Sequence, residues 1–266
     1  MIVLLALLAT ADAGRELASG SGSATWAAQR PIRFAVRSYA ADIEVVASST
    51  GALTVSAPGN VRLVSSGGDR VDAEFGGKRQ LHDGKIRVAL PRGSALDAGA
   101  VSGSVSVLGV GGEARVRGMS GRVRVSGATE VDVETVDGAV EIDGATGTMR
   151  VHTVSGGTVV TAPANASRLE LETASGTVDF RGGCGPGCHI DVDSVSGDVV
   201  FALDAKSSAT ARVVSTSGKV RDDRGFSLQR RPGGSEGDFS EGAIGRGDGL
   251  IECETFSGSI TFTRVQ

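Results

Sequence analysis

Four carboxylates stand at equivalent positions of two similar segments: Glu170 and Glu172 in LELETASGTVDF, Asp191 and Asp193 in IDVDSVSGDVVF. If the segments lie side by side, all four crowd one surface, and like charges directly opposite destabilise a sheet. Two chemistries suit such a cluster. Calcium takes carboxylate oxygens, and a pair of acids can cleave a glycosidic bond. A third reading needs no ligand: a solvated acidic face whose repulsion salt screens. Glycan cleavage also wants a cleft and aromatic platforms, and the chain holds only one Trp, one Tyr and eight Phe. The solvated face is therefore the expectation. Glu170, Glu172, Asp191 and Asp193 stand as the calcium candidates, no other cofactor is expected, and no catalytic residue is assigned.

Cys184 and Cys188 flank a Gly-Pro-Gly turn. In an oxidising compartment such a pair closes a small disulfide loop. A redox-active pair would want Cys-x-x-Cys spacing, and zinc would want four ligands where only His189 is near. Cys253 falls at an apolar position of its segment and reads as a buried thiol. His82, His152 and His189 are scattered and read as surface residues, with no Ser-His-Asp spacing around them. Gly67-Gly68 and Gly111-Gly112 do not lead into a helical pattern, so they make no phosphate-cradling loop. Asn165-Ala-Ser167 matches a glycosylation sequon by chance. A net charge of −4 without a basic stripe gives no basis for nucleic-acid binding.

The elements that would position these residues repeat. VDVETVDGAVEI, LELETASGTVDF, IDVDSVSGDVVF and IECETFSGSITF share one plan: an alternating run, a Ser-Gly or Asp-Gly hinge, and a second alternating run. The hinge glycines are Gly103, Gly121, Gly138, Gly156, Gly176, Gly197, Gly218 and Gly258. Up to Gly218 they recur every 17–21 residues, and a gap of 40 residues separates the last two. A fixed period near 20 points to a solenoid. Forty glycines against six prolines, with a Val-rich apolar set, suit many tight corners and β-strands.

Counting back from each glycine, positions −7 and −5 are apolar, as in Val131/Val133, Leu169/Leu171 and Ile251/Cys253. Position −3 holds Thr135, Thr153, Thr173, Ser194, Ser215 or Thr255 and should stack as a hydroxyl ladder. Positions +2 and +4 are again apolar, as in Val140/Ile142 and Val199/Phe201. Period-2 alternation sends each set to one face. Gly156-Gly157 reads as a one-residue register shift, a bulge. Positions −6 and −4 decide between a hairpin sandwich and parallel stacking. They run Arg115/Arg117, Asp132/Glu134, Arg150/His152, Glu170/Glu172, so basic and acidic rows alternate. Strands stacked in register would pair them across each step.

The predicted fold is all-β: a single-domain parallel β-solenoid, or β-helix, with two strands per coil and Gly-marked corners. Seven steps at ~4.8 Å give a stack of roughly 34 Å. Residues 31–100 form a less regular N-terminal part, 101–221 the regular coils, 222–249 an inserted loop and 250–266 the last coil. Strands are expected in the N-terminal part near 32–36, 43–46, 53–55, 61–64 and 86–90. Residues 1–13 read as a signal peptide, with an apolar run and an A-x-A site before Gly14 but no positive n-region. Residues 14–30 read as a polar linker. The apolar run is too short to cross a bilayer, and no other segment is long enough.

The T-x-S-G-x-V-x-V units, the lead-in RVALPRGSALDAGAVSGSVSV over Arg87–Val107, and the final IECETFSGSITF resemble the bacterial toast-rack family of adhesin-like domains of unknown function. The resemblance covers most of residues 31–264. It implies a single-chain β-helix with a surface or envelope role and supplies no catalytic residues. The Cys184–Cys188 loop and the 222–249 insertion depart from it. The expected function is thus non-enzymatic: an exported adhesin-like or cell-envelope scaffold in the periplasm, envelope or extracellular space. Its flat faces would contact a protein or cell-surface component. The alternatives are a carbohydrate-active β-helix enzyme or lectin, and an envelope-stress sensing module working through a partner chain.

Overall fold

The computed structural model describes residues 14–76, 81, 83–163, 166–223, 225–226, 228–231 and 238–265. The predicted signal peptide, His82 and Asn165 lie outside the described residues. Among the described residues there is no helix, and 24 strands join in one sheet.

The regular coils follow the predicted plan. Strands before the corner (Glu113–Ser120, Glu130–Asp137, Thr148–Ser155, Arg168–Ser175, His189–Ser196) pair in parallel with one another. The shorter strands after it (Val123–Ser126, Val140–Asp143, Thr158–Ala162, Val178–Gly182, Val199–Leu203) do the same. Equivalent positions stack: Val131 on Met149 on Leu169 on Ile190, all at most 2 % exposed. The two inward faces meet in one continuous apolar core. Each fully buried aliphatic side chain contributes about 1.5–3 kcal/mol relative to exposure, so the stacked valines dominate stability.

The hinge glycines form a column with almost no space between layers. A Cβ built on Gly121 would lie 2.6 Å from the Gly103 carbonyl oxygen. Cβ atoms on Gly138, Gly156, Gly176 and Gly197 would run into the carbonyl oxygen of the glycine one layer back. Hydrogen in place of a side chain is what lets the corners stack at strand spacing.

Both ends of the solenoid depart from sequence order. The strands Gly249–Ser257 and Ile260–Arg264 are not outermost. Gly249–Ser257 lies between His189–Ser196 and Ala209–Ser215, parallel to both. Ile260–Arg264 lies between Val199–Leu203 and Val220–Asp222. The glycine column confirms the order: a Cβ on Gly258 would strike Gly197, and one on Gly218 would strike Gly258. The core explains it. Phe262 stacks on Phe201 with centroids 5.0 Å apart, and Phe201 meets Phe180 at 6.3 Å. The coil at 209–222 has only Asp222 to offer at that position. Aromatic pairing is worth about 0.5–1.5 kcal/mol beyond burial. It offsets part of the screened repulsion from placing Glu252 and Glu254 beside Asp191 and Asp193.

The N-terminal end is arranged similarly. Arg33–Ser38 lies between Arg70–Phe75 and Ala95–Ala100, and Asp42–Ala47 between Lys85–Leu90 and Val105–Leu108. The strands near 53–55 and 61–64 are one strand, Leu53–Ser65, which spans both faces and runs antiparallel to Arg70–Phe75 and Lys85–Leu90. The stretch expected as a linker contains a strand, Glu16–Trp26, antiparallel to Leu53–Ser65. The 222–249 segment is likewise more than a loop. Its strand Asp238–Ile244 runs antiparallel along Ala209–Ser215 and carries Gln229–Arg231 outside it. Antiparallel strands thus cap the stack, which blunts its exposed edges. Finally, Gly156-Gly157 makes no bulge. Val140 pairs with Thr158 and Ile142 with Val160 without a shift, so Thr158 fills an inward slot.

A candidate interaction groove

The charged rows pair as their alternation predicts. Arg115 Nε meets Asp132 at 2.8 Å, Arg117 Nε meets Glu134 at 3.1 Å, Arg150 Nε meets Glu170 at 2.9 Å, and His152 Nδ1 meets Glu172 at 3.0 Å. Exposed pairs are worth about 0.2–1 kcal/mol each. Their greater effect is on order, because a shifted coil would oppose like charges.

Beyond Glu170 and Glu172 the alternation stops. Glu170 opposes Asp191 and Glu172 opposes Asp193. Because the C-terminal coil is inserted there, Glu252 and Glu254 follow directly. The structure therefore joins six carboxylates over three layers, where the sequence suggested four over two. They divide into two columns. In the −6 column, Glu170 receives Arg168 and Arg150, while Glu252 receives His189 at 3.3 Å and Arg212 at 3.8 Å. The hydrogen bond from Arg168 holds the Glu170 carboxyl below its ordinary range. In the −4 column, Asp193 and Glu254 have no cationic partner among the described residues. Burial, then Asp191, Glu254 and Glu172, raises the Asp193 carboxyl. No group of three or more His, Cys, Asp or Glu side chains is placed to hold a metal ion among the described residues.

The −4 column is one wall of a long open groove of about 1020 Å³. Its floor is the −3 column Thr135, Thr153, Thr173, Ser194 and Thr255, whose side chains are buried. The far wall is the −2 column: Val136, Val154, Ala174, Val195 and Phe256. Strand geometry creates the trough. Pairing runs through Thr135↔Thr153, skips Val136 and Val154, and resumes at Asp137↔Ser155. The same skip recurs at Ala174 and Val195 and at Val195 and Phe256. Thr153 and Thr173 donate hydroxyl hydrogen bonds to the carbonyls of Ser155 and Ser175, at 3.0 and 3.2 Å, which pin the bend. The hydroxyls of Thr135, Ser194 and Thr255 are buried with no hydrogen-bond partner.

The −2 column was not singled out in the sequence, although its signal is there. Apolar residues at −2 face away from those at −5 and −7, so a Val or Phe at −2 is one the core does not use.

Cys184 and Cys188 are joined, with Cα atoms 5.4 Å apart, and both are buried. The loop packs against Gly249, where the inserted strand begins, and Leu250 N donates to Cys188 O at 2.9 Å. Cys253 is 1 % exposed between Val192 and Val213, and burial pushes its thiol far up. It is packing, not a nucleophile.

Residues 78–182 match the family model described as Toastrack DUF4097. Over this segment the chain is similar to toast-rack domains. The strand ladder of the matched segment continues into the coils at 189–203 and 251–264. Among solved structures, the chain is similar to a "putative cell adhesion protein" from Clostridium sporogenes ATCC 15579, at 6% identity and a TM-score of 0.30, over 92% of this chain and 100% of that one. No curated protein matches the chain significantly. Among the described residues, no helix is long and apolar enough to cross a membrane.

Proposed function

We propose that this chain is a non-catalytic, exported contact protein of adhesin type, which engages a protein or cell-surface partner through its solenoid faces. One observation carries the reading. Of nine large apolar side chains left exposed among the described residues, Met119, Val136, Val154, Val195 and Phe256 fall in the same column. Scattered exposed apolar residues mean little, whereas a contiguous row with a polar rim marks a contact surface. The groove's side chains repeat by translation from coil to coil, which suits an extended partner better than one reacting bond. The buried Cys184–Cys188 bridge supports an oxidising compartment.

The test is co-sedimentation of the purified chain with whole bacterial cells, before and after the cells are treated with protease. Saturable binding that protease abolishes is expected. Hydrolysis of a polysaccharide panel without cell binding would overturn the reading. Detection of the chain in the cytoplasmic fraction alone would overturn export.

A further inference from the structure

We infer that the half of the groove around Asp193, Glu254 and Phe256 docks an extended peptide that carries arginine or lysine side chains. This rests on the contact-protein reading and names its partner. Two independent observations meet here. The first is charge: Asp193 and Glu254 are adjacent across one layer and have no cationic partner among the described residues, although most carboxylates of the neighbouring column have a cation. Asp132, Glu134, Glu170 and Glu172 are paired with cations, whereas these two, like Asp191, are open to an incoming positive group.

The second is apolar surface. Phe256 is 64 % exposed and Val195 58 %, and they face the carboxylates across the trough. Six of the other seven phenylalanines are buried, and Phe239 is half-buried. A guanidinium or ammonium can lie against the Phe256 ring while pairing with carboxylate, and its methylene stem can cover valine. Ser194 and Thr255 floor the trough between these two walls, with their side chains buried.

Shape selects the extended form. Seven layers border the trough between Gly118 and Thr216, so at ~4.8 Å per step it is about 29 Å long. That accommodates roughly nine residues of extended chain at ~3.3 Å each. A cationic glycan would satisfy the carboxylates. It would find one aromatic side chain and a row of valines where sugars favour flat aromatic platforms.

The probe is a fluorescein-labelled ten-residue peptide of alternating arginine and valine, read by fluorescence anisotropy against the intact protein. The comparisons are a glutamate–valine peptide and a deacetylated chito-oligosaccharide. Binding of the arginine peptide is expected, weakening as NaCl rises from about 50 to 300 mM. The pair Asp193→Asn/Glu254→Gln, and separately Phe256→Ser, should each weaken binding at least about tenfold. Asp143→Asn, exposed on the other face, should not. The carboxylate variant should melt no lower than wild type, which separates lost binding from lost fold.

Equal affinity in wild type and both groove variants would overturn the inference. So would binding of the chito-oligosaccharide without the peptide. Cell co-sedimentation that persists in the groove variants, with no peptide binding, would place the contact on another face. The inference would then fail while the contact-protein reading stood. Absence of co-sedimentation in wild type would remove that reading itself.

Discussion

Asp193 carries the clearest electrostatic cost at the scale of a single side chain. Its carboxyl titrates above the ordinary 3.8, first through burial and then through Asp191, Glu254 and Glu172. Between 3.8 and the raised value the folded chain holds a proton that the unfolded chain releases, so stability falls as pH rises through that window. Above it, the full cost persists. Asp193→Asn should therefore raise the melting temperature at neutral pH, and the gain should vanish below pH 3.8. Thermal melts of both proteins across pH check this, and added salt should shrink the difference. Glu170 behaves oppositely. Held down by Arg168 and Arg150, it contributes stability above its ordinary 4.5 that is lost as pH falls through its lowered value. The hinge glycines give a second test. Gly176→Ala puts a methyl against the Gly156 carbonyl at φ +130, where the backbone cannot yield without separating layers. It should cost about 2–4 kcal/mol. Gly144→Ala, at φ +70 with nothing within 4 Å, should cost about 1–2 kcal/mol. Urea unfolding of the two variants separates crowding from backbone conformation. These residue-level features were legible because stacking turns equivalent positions into neighbours: alternation of Arg115, Asp132, Arg150 and Glu170 already implied their contacts. The free pair Asp193 and Glu254 was not, since nothing in the two segments says that they adjoin.

Among the elements, the strand Gly249–Ser257 and the Cys184–Cys188 loop form one unit. The loop packs on Gly249 and receives the Leu250 amide, so it fixes where the inserted strand starts. A bridge closing so short a loop stabilises by about 2 kcal/mol in the chain-entropy account. Cys184→Ser/Cys188→Ser, or reduction, should lower stability by about that amount, with the loss of hydrogen-exchange protection concentrated at 249–257. Guanidinium unfolding with and without reductant, followed by exchange mass spectrometry, measures both. Apart from Thr158, strand existence and facing were readable in the regular coils, where period-2 alternation is unbroken. They were less readable at the ends. GRELASGSGSATWAAQR has the composition of a linker, yet Glu16–Trp26 becomes a strand because Leu53–Ser65 supplies backbone partners along most of its length, with breaks at Leu17 and Gly22. Propensity gave way there to a tertiary template. Thr158 misled for a related reason, since the inward slot accepts a Thr and the adjacent outward Val159 mimics a shifted register.

For the whole molecule, coil order is the feature the repeat could not disclose. IECETFSGSITF fits any layer by its pattern, and only the match of Phe262 to Phe201 places it one layer in. A chain ending at residue 248 would lose the layer that bridges 189–203 to 209–222. It should lose exchange protection across Ala209–Ser215 and Asp238–Ile244 while keeping it across Glu113–Ser120 and Glu130–Asp137. Retained protection in the first pair would show that those strands dock without the bridging layer.

The same insertion governs how the rod bears tension. A terminal strand at a sheet edge can be unzipped one backbone bond at a time under a small load. Ile260–Arg264 has a neighbour on each side, so a pull through residue 265 must shear two ladders together. Towards the other end, Glu16–Trp26 can peel from Leu53–Ser65, but the pull then reaches Arg33–Ser38, held between two strands in turn. Under a load applied through residues 14 and 265, Glu16–Trp26 would yield before Arg33–Ser38 or Ile260–Arg264.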